Sequence, residues 1–237
     1  MSNQWPEKMS FKSFCQVVLQ EPEQLYAELF MQHKEQFSIR NQRIAVKNLQ
    51  KIFEATFVLA NEFGFQAMTL RQLSKQTAMS MGGLYAYIQS KDDLAQIINS
   101  FLKHYCEVKL HQLVSEEHSA DKKLVALIHS HIYLSELMQP WFYFAYMETK
   151  NLSKNDKAIA IQAELSMENK IASVIKEGIK TGCFSKLDNA QLVASLIKAL
   201  LQDWYLKHGK YKKRKISVDS YAKQVVDLTL HYLVVKS

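Results

Sequence analysis

Large apolar residues recur three and four positions apart along most of this chain, and no convincing run alternates apolar with polar in the manner of a strand. The pattern predicts a succession of amphipathic helices. Phe11, Phe14, Val17 and Val18 share one face of a first segment. A second opens near Pro22, a residue suited to a first helical turn, and aligns Leu25, Leu29, His33 and Phe37. A long helix over residues 42–63 carries Ile44, Leu49, Ile52, Phe53, Phe57 and Ala60, and Gly64 is placed to end it. Two short helices follow near 70–77 and 81–87, then longer ones near 91–113 and 122–138. Pro140 opens the aromatic segment Trp141–Met147, and the polar stretch Thr149–Asp156 reads as a loop. Helices near 158–180, 189–207 and 218–234 complete an all-α fold.

Composition agrees. The 237 residues hold only 6 Gly and 3 Pro, too few for many tight turns, and 48% are hydrophobic. The net charge of +7 fits an anionic partner, but most of the excess sits in one run, Lys207, Lys210, Lys212, Lys213, Arg214 and Lys215, expected to be a solvated loop. Lys34, Arg40, Arg43, Lys47 and Lys51 form a second basic stretch against Glu35. Cys15, Cys106 and Cys183 are scattered and form no metal or disulfide framework, so reduced thiols in the cytoplasm are expected. The opening segment has no basic start followed by an apolar run, and no stretch is long and apolar enough to span a bilayer. No membrane partner and no cofactor are expected.

The informative stretch runs from Met68 to Leu94. Thr69 and Gln72 have capping-box spacing, with Met68 and Leu73 as the accompanying staple, and Ser80 and Ser90 can cap the next two helices. Helices this short must dock on their neighbours, through Leu70, Leu73, Leu84 and Ile88. The second opens on Met81-Gly82-Gly83. Two glycines cost about 1 kcal/mol each against alanine in a helix. Either they serve a tight internal corner, or they let a phosphate approach the backbone.

Thr69-Leu70, Thr77-Ala78-Met79-Ser80-Met81-Gly82-Gly83-Leu84-Tyr85-Ala86-Tyr87 and Ser90-Lys91-Asp92-Asp93-Leu94, preceded by Phe63-Gly64-Phe65, resemble the signature of TetR/AcrR transcriptional regulators. Ala78 stands where that family usually has Gly, and Ile88 where it usually has Phe. Glu177–Phe184 with Asp188 is similar to the family's turn before its last two helices, so the resemblance covers residues 42–237 and leaves 1–40 outside. It implies a helix-turn-helix DNA-binding domain at 41–105, an effector-binding and dimerisation domain at 106–237, with the boundary inside a helix near 105, and a helical extension at 1–40. It further implies a homodimer on a pseudo-palindromic double-stranded operator, and a repressor released by a small hydrophobic effector. Thr69, Ser80, Tyr85, Tyr87 and Lys91 match phosphate-facing positions. Met81, Gly82, Gly83 and Ala86, with Arg71, match base-facing ones. Tyr133, Met138, Trp141, Phe144, Met147 and Met167 fall where the family's effector cavity is lined. Residues 147–152, Met-Glu-Thr-Lys-Asn-Leu, resemble regulators that respond to fatty acyl compounds.

Other constellations carry less. His104, His111 and His118 are too far apart on a helix to share a metal, and His129 and His131 point to different faces. Glu136 and Glu148 flank the aromatic segment without a nucleophile, so catalysis is not expected. The alternatives are a constitutive or architectural DNA binder without effector, and a helical lipid-binding protein. The extension is expected to fold onto the protein, either beside the DNA-binding domain as a brace or as an appendage that serves stability alone.

Overall fold

The computed structural model describes residues 9–18, 23–114, 119–148 and 154–234. Its helices are α1 (Phe11–Val18), α2 (Gln24–His33), α3 (Gln42–Phe63), α4 (Leu70–Thr77), α5 (Met81–Tyr85), α6 (Lys91–Val114), α7 (Ala120–Leu137), α8 (Gln139–Glu148), α9 (Lys154–Lys180), α10 (Ala190–Leu206), α11 (His208–Lys213) and α12 (Val218–Leu233). Among the described residues, the extended pairing is an isolated antiparallel bridge between Phe184 and Val234. The described residues fall into two compact units. The first lies within residues 19–104 and 140–160, the second within 1–18, 105–139 and 161–237.

The first unit is built on α3. Asn41 caps it, its side-chain oxygen accepting from the Ile44 N–H at 3.2 Å. Gly64 stops it at φ +80°, a conformation cheap for glycine. Leu49, Ile52 and Phe53 are buried, and α2 packs on this helix through Leu25, Leu29 and Phe30. Ile44, assigned to the same stripe, is exposed instead, because it lies to one side of the inward face that Ala45, Leu49, Ile52 and Thr56 define. Trp141 of α8 stacks on Phe53 at 5.0 Å and meets Phe57 edge-on at 5.1 Å, while Phe144 meets Phe65 edge-on at 4.9 Å. The aromatic segment is thus core for this unit.

In the second unit α7 is the central helix, with Leu124, Ile128, Ile132 and Leu134 fully buried and α10 and α12 packed against it. Here the extension departs from expectation. α1 docks on α7, in the second unit, while α2 docks on α3 in the first. Phe14 lies 5.3 Å from the Tyr133 ring, and one oxygen of Asp219 accepts both the Tyr133 hydroxyl at 2.7 Å and the Phe11 N–H at 2.8 Å. At the end of α9 the Phe184 ring lies against Gly178, where any β-carbon would collide with it. The Ser185 N–H donates to Leu233 O at 2.7 Å, tying this turn to the end of α12.

Two expected loops are corrected. The basic run contains a helix, α11. Tyr211 anchors it, buried and stacked on Trp204 at 5.3 Å, with its hydroxyl donated to Asp203. Asp203 also pairs with Lys207 at 2.7 Å and Lys210 at 2.9 Å. The polar stretch after Glu148 is already helical from Lys154, as α9 begins there and not at 158. Glu21 and Pro22, His118 and residues 149–152 lie outside the described residues.

Candidate nucleic-acid interface

The Thr69 hydroxyl oxygen accepts the Gln72 N–H at 3.2 Å, and the Gln72 carbonyl oxygen accepts the Thr69 N–H at 2.8 Å, which completes the capping box. Met68 and Leu73 are fully buried beneath it. α4 ends on Ala78, held in the left-handed region at φ 54°, ψ 31°. The turn is locked by a bond from the Ser74 hydroxyl to Met79 O at 2.6 Å. Ser80 then caps α5, accepting the Gly83 N–H at 3.1 Å, and Leu84 is fully buried. α5 is shorter than expected. It stops at Tyr85, and the chain turns so that Tyr87 enters the core.

This arrangement leaves Thr69, Arg71, Ser80, Gly82 and Tyr85 exposed, with Met81, Gly83, Ala86 and Lys91 partly so. Gly82 is the telling residue. A β-carbon there would find nothing within 4 Å, whereas one on Gly83 would lie 3.3 Å from Ser80 Oγ. Nothing in the chain itself demands glycine at 82. Two expected phosphate contacts are placed differently. Tyr87 is 2% exposed, and its hydroxyl accepts from Asn48 Nδ2 at 2.9 Å. The Lys91 ammonium donates to the carbonyls of Phe65 at 3.2 Å and Gln66 at 2.6 Å. Both side chains are satisfied internally: Tyr87 because burial requires a partner for its hydroxyl, Lys91 because the turn after α3 leaves carbonyls free. The extension also touches this surface, since the Ser38 N–H donates to Ala86 O at 2.9 Å.

Arg43, Lys47 and Lys51 stand four apart on α3, exposed, with Arg40 just before, and none forms an ion pair among the described residues. This basic stripe was readable from the sequence, since period-four spacing on a helix puts charges on one face.

The effector candidates are divided between the two units. Tyr133, Met138 and Met167 are buried in the second unit. Trp141 and Phe144 are buried in the first, and Met147, also there, is exposed. Burial, reinforced by the Asp219 carboxylate, holds the Tyr133 phenol well above its ordinary pKa, so it stays a hydrogen-bond donor. The sequence reading missed Lys198, which is buried in α10. Its signal was its place three residues before Leu201 and four after Ala194, on the inward stripe.

Two family models match, "Bacterial regulatory proteins, tetR family" over residues 52–97 and "Tetracyclin repressor-like, C-terminal domain" over residues 117–233. The chain belongs to the TetR family. It is therefore a DNA-binding transcriptional regulator, and α4 and α5 are its helix-turn-helix. It is 21% identical over 177 residues to the HTH-type transcriptional regulator HbdR of Aromatoleum sp. (strain CIB), covering 74% of this chain and 76% of that protein. A tetR-family regulatory protein from Rhodococcus RHA1 superimposes with a TM-score of 0.71 at 18% identity, covering 81% of this chain and 99% of the other. The regulator FadR from Bacillus subtilis, solved in complex with stearoyl-CoA, gives 0.60 at 17% identity, covering 76% and 97%. Among the described residues, no helix of this TetR regulator is long and apolar enough to cross a membrane.

Proposed function

We propose that this regulator acts in the cytoplasm as a homodimeric repressor, released from a pseudo-palindromic operator by a small hydrophobic effector. The observation that carries the DNA contact is Gly82. A helical glycine facing open space costs stability and serves nothing within the chain. An external surface pressed against the backbone of α5 gives it a purpose. Around it, Thr69, Arg71, Ser80, Met81, Gly83, Tyr85 and Ala86 supply hydroxyl, cationic and apolar groups. Their chemistry favours phosphate contact and thymine methyls over bidentate base pairing.

Dimerisation is supported by α10 and α12. Leu192, Leu196 and Leu200 form an exposed line, the middle one 60% accessible, while Leu228 and Tyr232, 63% accessible, do the same on α12. Apolar faces of this kind pair into a four-helix interface. An effector in the second unit is supported by the names of relatives, FadR bound to stearoyl-CoA among them, with Tyr133, Met138 and Met167 as lining candidates.

Selection of genomic fragments by the purified protein tests the reading. Enrichment of one inverted repeat, bound by a dimer in sedimentation, is expected. A monomer, or enrichment without a shared repeat, would overturn it.

A further inference from the structure

α10 carries one cationic side chain into the interior of the second unit. Lys198 shares the inward stripe with Ala194, Ile197 and Leu201 and is 6% exposed. Among the described residues it makes no hydrogen bond and no ion pair. The two carboxylates in its electrostatic reach, Glu164 and Glu168 of α9, are engaged elsewhere. Glu164 accepts from Gln202 Nε2 at 2.7 Å, and Glu168 from Gln191 Nε2 at 2.8 Å. The remaining neighbours are Cys106 on α6 and His131 on α7. Neither can balance the charge. Burial raises the Cys106 thiol to about 12, and burial together with Lys198 itself keeps His131 neutral. Burial also lowers the Lys198 ammonium to about 8, so it remains cationic at neutral pH. In the same unit the buried hydroxyls Ser130 Oγ, next to His131 in sequence, and Thr229 Oγ1 on α12 have no hydrogen-bond partner among the described residues.

A buried ammonium whose nearby carboxylates hydrogen-bond to other groups lacks a direct acceptor, which is costly unless something supplies one. We propose that Lys198 receives the anionic head of the effector, an amphipathic acid whose apolar body lies among the side chains of the second unit. This rests on the effector reading above and adds the chemistry of the ligand. An apolar interior with one convergent cation selects for a carboxylate or phosphate on an otherwise hydrophobic molecule.

The test uses the full-length protein, Lys198→Met, Lys198→Arg, and three probes with the same alkyl chain: dodecanoate, dodecanoyl-CoA and dodecan-1-ol. Affinities come from calorimetry, operator release from fluorescence anisotropy, and stability from melting. Wild type should bind one of the anionic probes more tightly than the alcohol, and which one tells carboxylate from phosphate. Lys198→Met should lose roughly ten- to hundredfold for that probe, the range for a charge-assisted contact, and keep its affinity for the alcohol. Lys198→Arg should retain part of the preference. Unliganded Lys198→Met should melt no lower than wild type, since it removes a buried ammonium that lacks a direct acceptor. A lower melting temperature would mean that Lys198 pairs with Glu164 or Glu168, and would overturn the proposal. So would unchanged acid affinity in Lys198→Met. If alcohol and acid release the operator alike, this inference falls and the effector reading stands. If no probe binds wild type or releases operator, both fall.

Discussion

Gly82 and Ala78 stand four residues apart, and each sits where its own stability is not maximal. Gly82 is helical and faces open space, so Gly82→Ala should stabilise the protein by about 1 kcal/mol, the difference in helix propensity. The same methyl would stand between α5 and the DNA. The expected outcome is a higher urea midpoint together with operator binding weakened at least about tenfold, as one lost close contact implies. A variant that gains stability and keeps its affinity would remove the argument for a close approach. Ala78 is the opposite case, an L-residue at φ 54° where the left-handed conformation costs about 1–2 kcal/mol. Glycine relieves that strain but adds freedom to the unfolded chain, so Ala78→Gly should give a small net gain, up to about 1 kcal/mol. Chemical denaturation measures it, and a loss would mean that the Ala78 methyl makes contacts outweighing the strain. The need for glycine at 78 was legible from the motif, and the structure supplies the φ angle behind it. The fate of Tyr87 was not legible. Its hydroxyl is taken by Asn48, 39 positions earlier, and no local pattern reveals a partner that distant.

Helix starts that own a cap were readable from the sequence. Thr69 and Ser80 each accept the backbone N–H three residues on, and Gly64 ends α3 where the pattern put it, while the Asn41 cap went unread. What the pattern could not give was which of several apolar stripes on one helix faces inward. On α10, Ile197, Leu201 and Trp204 are buried while Leu192, Leu196 and Leu200 are exposed, although all six are apolar. Periodicity reports two faces of that kind as one broad one. The same blindness read 207–215 as a loop, because tertiary anchoring by Tyr211 outweighs a run of lysines. On α3, by contrast, charge makes the outer face plain. Arg43, Lys47 and Lys51 are exposed, unpaired and evenly spaced. If they neutralise phosphates, Arg43→Ala and Lys47→Ala should each weaken operator and non-specific DNA similarly. Each should also make the slope of log affinity against log salt shallower by about 1. An effect confined to the operator would assign them to base recognition.

At the scale of the molecule the extension contributes to both units, which no contiguous domain division of the sequence anticipates. Phe14 and Val18 are buried in the second unit, Leu25, Leu29 and Phe30 in the first. Burying one such side chain is worth about 1.5–3 kcal/mol, and losing it from a packed core costs about 3–5 for phenylalanine. Phe14→Ala should therefore lower the melting temperature markedly while leaving the salt dependence of DNA binding unchanged. A change in that slope would place α1 in the phosphate contacts.

Acid sensitivity is set by three histidines spread over both units. Burial lowers the pKa of His33 in the first unit and of His129 and His131 in the second, all from about 6.5. For His129 the ring Nδ1–H bond to Val125 O at 3.0 Å and the nearby Asp219 carboxylate oppose this without reversing it. For His131 the Lys198 cation reinforces it. As pH falls below about 6.5 the unfolded chain binds protons that the native histidines refuse, so stability must fall with pH from that point downward. Two other groups with lowered pKa values pull the same way, but outside this window. Burial pushes the Asp203 carboxyl upward, but bonds from Lys207, Tyr211 and Lys210 outweigh it and hold it near 2, so it stays ionised throughout. Lys198, near 8, is already cationic. Urea midpoints should therefore be clearly lower at pH 5.5 than at pH 7. His131→Gln, which keeps a polar side chain without the titration, should flatten part of that fall. A wild-type midpoint that rises on acidification would show these rings charged in the native protein, and the neutral buried histidines would be ruled out.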